Sequence, residues 1–316
     1  MKKYLFGPVN SRRLGLSLGV DLVPAKICSL DCVYCEVGRT TNLTCRRGEY
    51  APTGAVIAEL EEYFTALTED RVGPAPRVVT LTGSGEPTLH SGIGRIIAYL
   101  KERTELPVVV LTNGTLLGDP QVRLDLLAAD IVVPSLDSAR RESYLKVNRP
   151  ARECCDPEPL IAGLAAFGEE FGGEVWLEIL LVAGLNDSDE DIAALAAAVA
   201  LIRPSRVQLN TVVRPPAEES VRPLTTARLQ EIAGRFGTVP VEVIADFSGT
   251  GERAGAASAE EILKILQRRP GTVGDIGEAL GLAEPVVARL ISELAKAGGI
   301  RETIHDGRRY YQINKS

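Results

Sequence analysis

The segment LGVDLVPAKICSLDCVYC, residues 18–35, decides the fold: a short run that ends at Val23 empties into a loop carrying three cysteines within eight residues. From there to about residue 247 the chain repeats one alternation, short β-branched runs followed by longer amphipathic stretches. That is the pattern of βα units and a parallel sheet. Strands are expected at 18–23, 78–82, 108–112, 130–135, 175–182, 207–212 and 241–245, and helices at 54–67, 93–103, 120–128, 157–171, 188–202 and 226–236. Asp187, Ser188 and Asp189 before one helix, and Thr225 and Thr226 before another, supply capping oxygens. Six or seven such units are too few for a closed eight-stranded barrel. They predict an α/β fold, a partial (β/α)6 TIM-like barrel, with chemistry on the loops after the strands.

Composition narrows the classes further. A chain of 316 residues with 45% hydrophobic and 24% charged side chains builds a core without staples. The longest apolar run, 192–202, has eleven residues, short of the roughly 17–25 of a spanning helix. The N-terminal MKKYLFGPVNSRR breaks at Gly7 and Pro8 and does not read as a secretory signal, so a cytoplasmic protein with no membrane partner is expected. A net charge of −7 argues against indiscriminate coating of nucleic acid. Two histidines, His90 and His305, leave little for a histidine-rich zinc hydrolase or a Ser-His-Asp hydrolase.

The small, polar stretch 248–258 reads as a linker, dividing a barrel at 1–247 from a second domain at 259–316. That second part reads as a helix at 259–268, a turn at Pro270-Gly271, a short helix at 273–280, a longer one at 284–297 and a hairpin turning at Asp306-Gly307. Together these predict a C-terminal winged helix-turn-helix domain. From 258 to 316 there are nine Lys/Arg against eight Asp/Glu, a weak phosphate-binding signal.

The chemistry centres on Cys28-x3-Cys32-x2-Cys35. Three thiolates on one loop can wrap a corner of an iron–sulfur cubane, leaving one iron for a small molecule. Cys45 could instead complete a four-thiolate zinc site, and Cys154 and Cys155 could hold an auxiliary cluster. The spacing, with Tyr34 before the last cysteine, resembles the radical S-adenosylmethionine superfamily. That resemblance implies that Cys28, Cys32 and Cys35 hold a [4Fe–4S] cluster and that S-adenosylmethionine chelates the fourth iron. Reductive cleavage would then give a 5′-deoxyadenosyl radical that takes hydrogen from a substrate, with electrons from an external donor.

Thr82-Gly83-Ser84-Gly85-Glu86-Pro87 follows the second expected strand and looks like the superfamily's loop for the methionyl amine. Asn113, Ser135 and Asp137 end the third and fourth strands and match where the superfamily holds the cofactor's sugar and carboxylate. Ordinary turn chemistry would also account for them. Lys146, Asn148, Arg149, Glu178, Gln208, Asn210 and Arg214 are the candidates for substrate contact; period-two alternation sets Gln208 and Asn210 on one face. The stretch from Phe6 to Gly15, with Arg12 and Arg13, resembles the wyosine-synthase-like group, although no cysteine precedes Cys28, where true tRNA wyosine synthases carry a second cluster. Arg12 and Arg13 would face a phosphate or the cofactor carboxylate, or pair with barrel acids. The expected function is a radical enzyme whose RNA substrate, tRNA included, or protein substrate docks through the winged helix. The alternatives are a peptide-modifying relative and an iron–sulfur redox sensor that binds DNA.

Overall fold

In the computed structural model, residues 3–11, 13–69, 71–244 and 258–314 are described. Strand β1 (Leu5–Ser11) turns back antiparallel onto β2 (Gly15–Val20), and two short bridging strands, β3 (Ile27–Cys28) and β4 (Asn42–Leu43), border the cysteine loop. Then follow α1 (Thr53–Thr68), β5 (Val78–Leu81), α2 (Ile93–Arg103), β6 (Val108–Thr112), α3 (Pro120–Leu126), β7 (Ile131–Pro134) and α4 (Arg141–Val147). The barrel part ends with α5 (Pro157–Glu170), β8 (Glu174–Leu181), α6 (Asp189–Ile202), β9 (Arg206–Thr211), α7 (Thr226–Ala233) and β10 (Val241–Val243).

The main sheet runs β1-β2-β5-β6-β7-β8-β9-β10, all pairs parallel except the first. Neighbours in space are therefore neighbours in sequence, the order of an open partial barrel. Helix α2 shows why the units close: Ile93, Ile96, Ile97 and Leu100 recur at helical spacing and are fully buried. Each such side chain contributes about 1.5–3 kcal/mol. Helix α6 starts where Ser188 accepts a hydrogen bond from Asp191 N–H, and its three acidic residues in the first turn complement the helix dipole.

Most sequence expectations lie within two or three residues of the observed elements. The first parallel strand is 15–20 and not 18–23, since β1 pairs with it from Ser11↔Gly15 onward. The last ends at Val243, and Ala245 lies outside the described residues, as do Arg12 and all of the expected linker except Ser258. Elements not expected are the short β3 and β4, α4, and β1, whose bulged Phe6–Val9 stretch is an edge strand.

His90 is fully buried between α1 and α2, with Nε2 2.6 Å from the Ala51 carbonyl and Nδ1 accepting from Gly92 N–H. Burial lowers its pKa, and protonating Nδ1 would abolish that acceptor. The unfolded chain then binds more protons than the fold below the ordinary histidine value of about 6.5. Stability is expected to be full above that pH and to fall as the pH drops through and below it. Urea unfolding across this range should show the loss in wild type and a flatter profile in His90→Gln.

After Ser258 come α8 (Ala259–Arg268), α9 (Val273–Leu280), α10 (Glu284–Lys296) and the antiparallel pair β11 (Ile300–His305) and β12 (Arg308–Ile313). Thr272 and Asp275 form a reciprocal capping box at the start of α9, and Gly281 ends it at φ 63°. This C-terminal unit has its own apolar core around Ile262, Ile276, Val287 and Ile291, to which Val9 of β1 adds. It sits on the rest of the chain through Asn10 Nδ2, which donates to the Glu278 carbonyl, and through Tyr310 OH, which donates to the Val213 carbonyl at 2.7 Å. Arg214, almost fully buried, joins Glu36 at 3.1 Å to Asp275 at 3.8 Å. Replacing Arg214 with Met is expected to cost about 2–4 kcal/mol, because two carboxylates lose their shared cation at a closed seam. The loss should appear in thermal unfolding and as faster hydrogen exchange in α9. Unchanged exchange there would show that the seam does not depend on Arg214.

Candidate active site

The cysteine loop is clamped by backbone hydrogen bonds from three directions. Lys26 N–H donates to the Ser84 carbonyl and Glu86 N–H to the Ile27 carbonyl, tying the loop to the glycine-rich segment after β5. Val33 N–H donates to the Val147 carbonyl, Asp31 N–H to the Asn148 carbonyl and Ala151 N–H to the Ser29 carbonyl, tying it to the residues around the end of α4. Thr44 N–H donates to the Cys28 carbonyl. The loop is thus held by its main chain.

Each of the three motif sulfurs also meets a donor. Cys28 Sγ accepts from Leu30 N–H and Asn113 Nδ2, both at 3.4 Å; Cys32 Sγ accepts from Asn148 Nδ2 at 3.4 Å; Cys35 Sγ lies 3.3 Å from Lys26 Nζ. Burial pushes the Cys28 thiol up to about 12, helped by Glu86 and by Cys35, and burial followed by Asp137 and the other two cysteines raises Cys32. Three mutually repelling thiolates need cationic iron to ionise together, while the N–H donors favour the ionised sulfurs. The donor set fits a cluster. Among the described residues no three His, Cys, Asp or Glu side chains gather as a site for one metal ion. A cubane gives each thiolate its own iron, so its ligands need not converge on one point. Cys45 Sγ lies 3.1 Å from Cys154 Sγ and does not join the motif, so the four-thiolate zinc arrangement is not assembled.

Several residues expected to touch the cofactor make hydrogen bonds within the scaffold around the loop. Glu86, buried, accepts four hydrogen bonds: from Thr88 N–H, Thr88 Oγ1 and Thr112 Oγ1 on one oxygen and from Asn113 N–H on the other. It thereby ties the end of β5 to the end of β6, with three donors on Oε1 and one on Oε2. Asn113 gives its amide to Cys28 and to Ser29 Oγ and its oxygen to Thr115. Asp137 accepts from Tyr34 OH at 2.5 Å, Asn148 Nδ2 at 2.6 Å and Leu180 N–H at 2.9 Å. Tyr34, Asp137 and Asn148 therefore form one network beside Cys32, and Asn148 does not line the cavity described below. Ser135 pairs by its backbone with Glu178 and Thr112.

Glycine is required at two positions of this site. At Gly83, φ 155°, a Cβ would stand 2.0 Å from Asp21 Oδ1, and at Gly85 it would stand 2.3 Å from the Ile27 carbonyl. Asp21 accepts from Ser84 N–H and Oγ beneath that loop, a role its sequence position did not announce.

A cavity of about 370 Å3 opens beside Tyr34, Cys35 and Gly83. Glu178 and Asn210, 3.3 Å apart, line it, and Arg13 pairs with Glu178 at 3.0 Å. Of the two readings of Arg13, the pairing with a barrel acid is the one observed. Gln208 shares the face of Asn210 as expected, but lies deeper, accepting from Arg13 and donating to Glu242. Besides Asn148 and Gln208, three further candidates stand outside the cavity. Lys146 is exposed on α4 and paired with Glu142, Arg149 pairs with Glu218, and Arg214 is buried in the seam described above. Lys26, held at φ 67° beside Cys35, was missed; a lysine two residues before the first cysteine was the available signal.

Comparison with known proteins defines the class. Residues 22–196 match the profile of the Radical SAM superfamily, and the chain belongs to that superfamily of enzymes, whose cofactors are a [4Fe–4S] cluster and S-adenosylmethionine. It is 34% identical over 316 residues to a protein of Brachyspira hyodysenteriae named GTPase Obg, covering 99% of this chain and 45% of that one. The chain thus spans less than half the length of that relative. It is 29% identical over 313 residues to a UPF0026 protein of Methanocaldococcus jannaschii, covering 98% of this chain and 95% of the relative. In fold it is similar to a radical SAM methyltransferase from Sphaerobacter thermophilus, with a TM-score of 0.55 at 21% identity over 73% of this chain and 67% of that one.

Proposed function

We propose that this chain carries a [4Fe–4S] cluster on Cys28, Cys32 and Cys35, binds S-adenosylmethionine beside it, and removes a hydrogen atom from a substrate in the cavity beneath the C-terminal unit. The observation that supports this most is the clamped loop whose three sulfurs each face an N–H donor and whose last cysteine borders that cavity. When bound, the two groups supply a 5′-deoxyadenosyl radical by one-electron reductive cleavage, the electron coming from an external donor. The protein's part is positional. Asn113, Asn148 and Lys26 orient and stabilise the sulfurs. The Gly83–Gly85 backbone lets a ligand approach closely above Asp21, and Glu178 and Asn210 offer polar contacts on the opposite wall.

The C-terminal unit, read as a winged helix forming its own domain, covers the mouth and keeps water from a reactive intermediate. Its α10 carries Arg289 and Lys296 against Glu284 and Glu293, which favours docking to the barrel and to substrate over reading DNA. Val9 and Asn10, within the stretch behind the wyosine-like resemblance, are residues on which this unit sits. A redox sensor would need neither the glycine-rich loop nor the cavity. Anaerobic reconstitution with iron and sulfide, then dithionite and S-adenosylmethionine, should give 5′-deoxyadenosine. Zinc retained in place of iron, with no such product, would reject the reading.

A further inference from the structure

The inner cavity is walled by the barrel, the cysteine loop and the N-terminal strands, except where Ile265, Arg268 and Arg269 at the end of α8 close it. A larger cavity of about 1020 Å3 lies outside, between the segment after Cys35, residues 215–223, the end of α8 and the β11–β12 hairpin. Glu36, Val37, Arg268 and Arg269 border both. These four residues are the throat between outer and inner space. The outer cavity is lined by Arg39, Arg222, Arg268, Arg269 and Arg301 against Glu36, Glu219 and Asp306, a cationic surplus in a chain of net charge −7.

Arg268 is held at this throat as an oriented fork. Its guanidinium lies 4.0 Å over the Phe6 ring, and Phe6 rests on Gly19, where a Cβ would stand 2.0 Å from that ring. One NH group donates to the Lys264 carbonyl at 2.9 Å. The other is 3.6 Å from Asp21 Oδ2, beyond hydrogen-bond length, and Asp21 is already engaged with Ser84. Arg268 Nε is buried without a hydrogen-bond partner among the described residues. A half-buried guanidinium with its plane fixed and its donors under-used is built for a planar or tetrahedral oxyanion, which it can grip with two parallel N–H bonds.

We propose that Arg268, supplied by the C-terminal unit, anchors an oxyanion of the substrate, a carboxylate or a phosphate, at the throat of the active site. Calling the bound molecule a substrate rests on the function proposed above; the anion site itself does not. Phenylglyoxal labelling of the full chain with peptide mapping reads the reactivity of Arg268, with inorganic phosphate or succinate as the protecting anion. Calorimetric titration of the same two anions reads affinity. At least one anion is expected to slow labelling of Arg268 about fivefold or more and to bind wild type about tenfold tighter than Arg268→Gln or Arg268→Lys, while Arg222→Gln on the outer rim changes affinity less than about twofold. Protection by phosphate points to a phosphorylated substrate and protection by succinate to a carboxylate; either supports the anchor. An Arg268 that the reagent never reaches, labelling that neither anion slows, or equal affinities in wild type and Arg268→Gln would overturn it. The labelling arm uses the native chain, so a misfolded variant cannot hide the answer. Neither arm needs iron, so a chain that binds the anion but forms no 5′-deoxyadenosine would refute the radical reading alone.

Discussion

Changing Cys28, Cys32 and Cys35 together to alanine is expected to abolish bound iron and sulfide and all 5′-deoxyadenosine formation, the largest functional effect available in this chain. No other cysteine can substitute. Cys45 is turned toward Cys154, 3.1 Å away, and the N–H donors that favour ionised sulfur are aimed at the three motif positions. The apo fold should survive, because the loop is held by main-chain bonds to Ser84, Val147, Asn148 and Ala151 and not by its sulfurs. Far-ultraviolet circular dichroism of the triple variant should match that of apo wild type, while iron analysis reads zero. Cys45→Ala should keep both iron and activity. Loss of metal in Cys45→Ala with retention in the triple variant would move the cluster site elsewhere.

Legibility in the sequence followed the range of the interaction that decides each feature. The parallel strands and their helices were readable because β-branched runs and helical apolar spacing, as in Ile93, Ile96, Ile97 and Leu100, act over a few residues. The C-terminal unit was readable for the same reason: the Thr272–Asp275 box, Gly281 and the Asp306-Gly307 turn are local signals. Strand β1 was not, since Gly7 and Pro8 interrupt it and its pairing is completed by β2 and by the unit resting on Val9 and Asn10. Helix α4 spans seven residues without a capping side chain, too little for a periodic signal. At the site, the sequence marked out polar residue types but not their partners. Asn113, Asp137 and Asn148 are polar groups at strand or helix ends, as a cofactor cleft requires, yet their partners come from as far away as Cys28, Tyr34 and Cys32. The seat of α8 over the mouth, and with it Arg268, depends on Phe6 and Asp21, more than two hundred residues earlier in the chain, and no local pattern announces it.

Glu86→Ala is the substitution expected to cost most in stability. The carboxylate is buried, and burial raises its pKa even though four donors work in the opposite direction. It stands where the ends of β5 and β6 meet, with Thr88 contributing two donors, Thr112 one and Asn113 one. Alanine leaves two backbone N–H groups and two hydroxyls without their acceptor in a closed space. The hydroxyls can rotate toward other acceptors, but the N–H groups cannot, so the net loss should be about 3–5 kcal/mol. Glu86→Gln keeps the shape but replaces one acceptor oxygen with a donor facing donors, and should recover less than half of that. The functional consequence follows from Asn113, whose backbone is fixed by Glu86 and whose side chain reaches Cys28 and Ser29. Loosening it should weaken binding of S-adenosylmethionine before iron is lost. Urea unfolding and equilibrium dialysis of the cofactor, run on the same reconstituted preparations, measure the two effects. If Glu86→Ala unfolds at the wild-type midpoint yet binds the cofactor poorly, the carboxylate acts on the ligand directly, and the scaffold role drawn from its four hydrogen bonds is wrong.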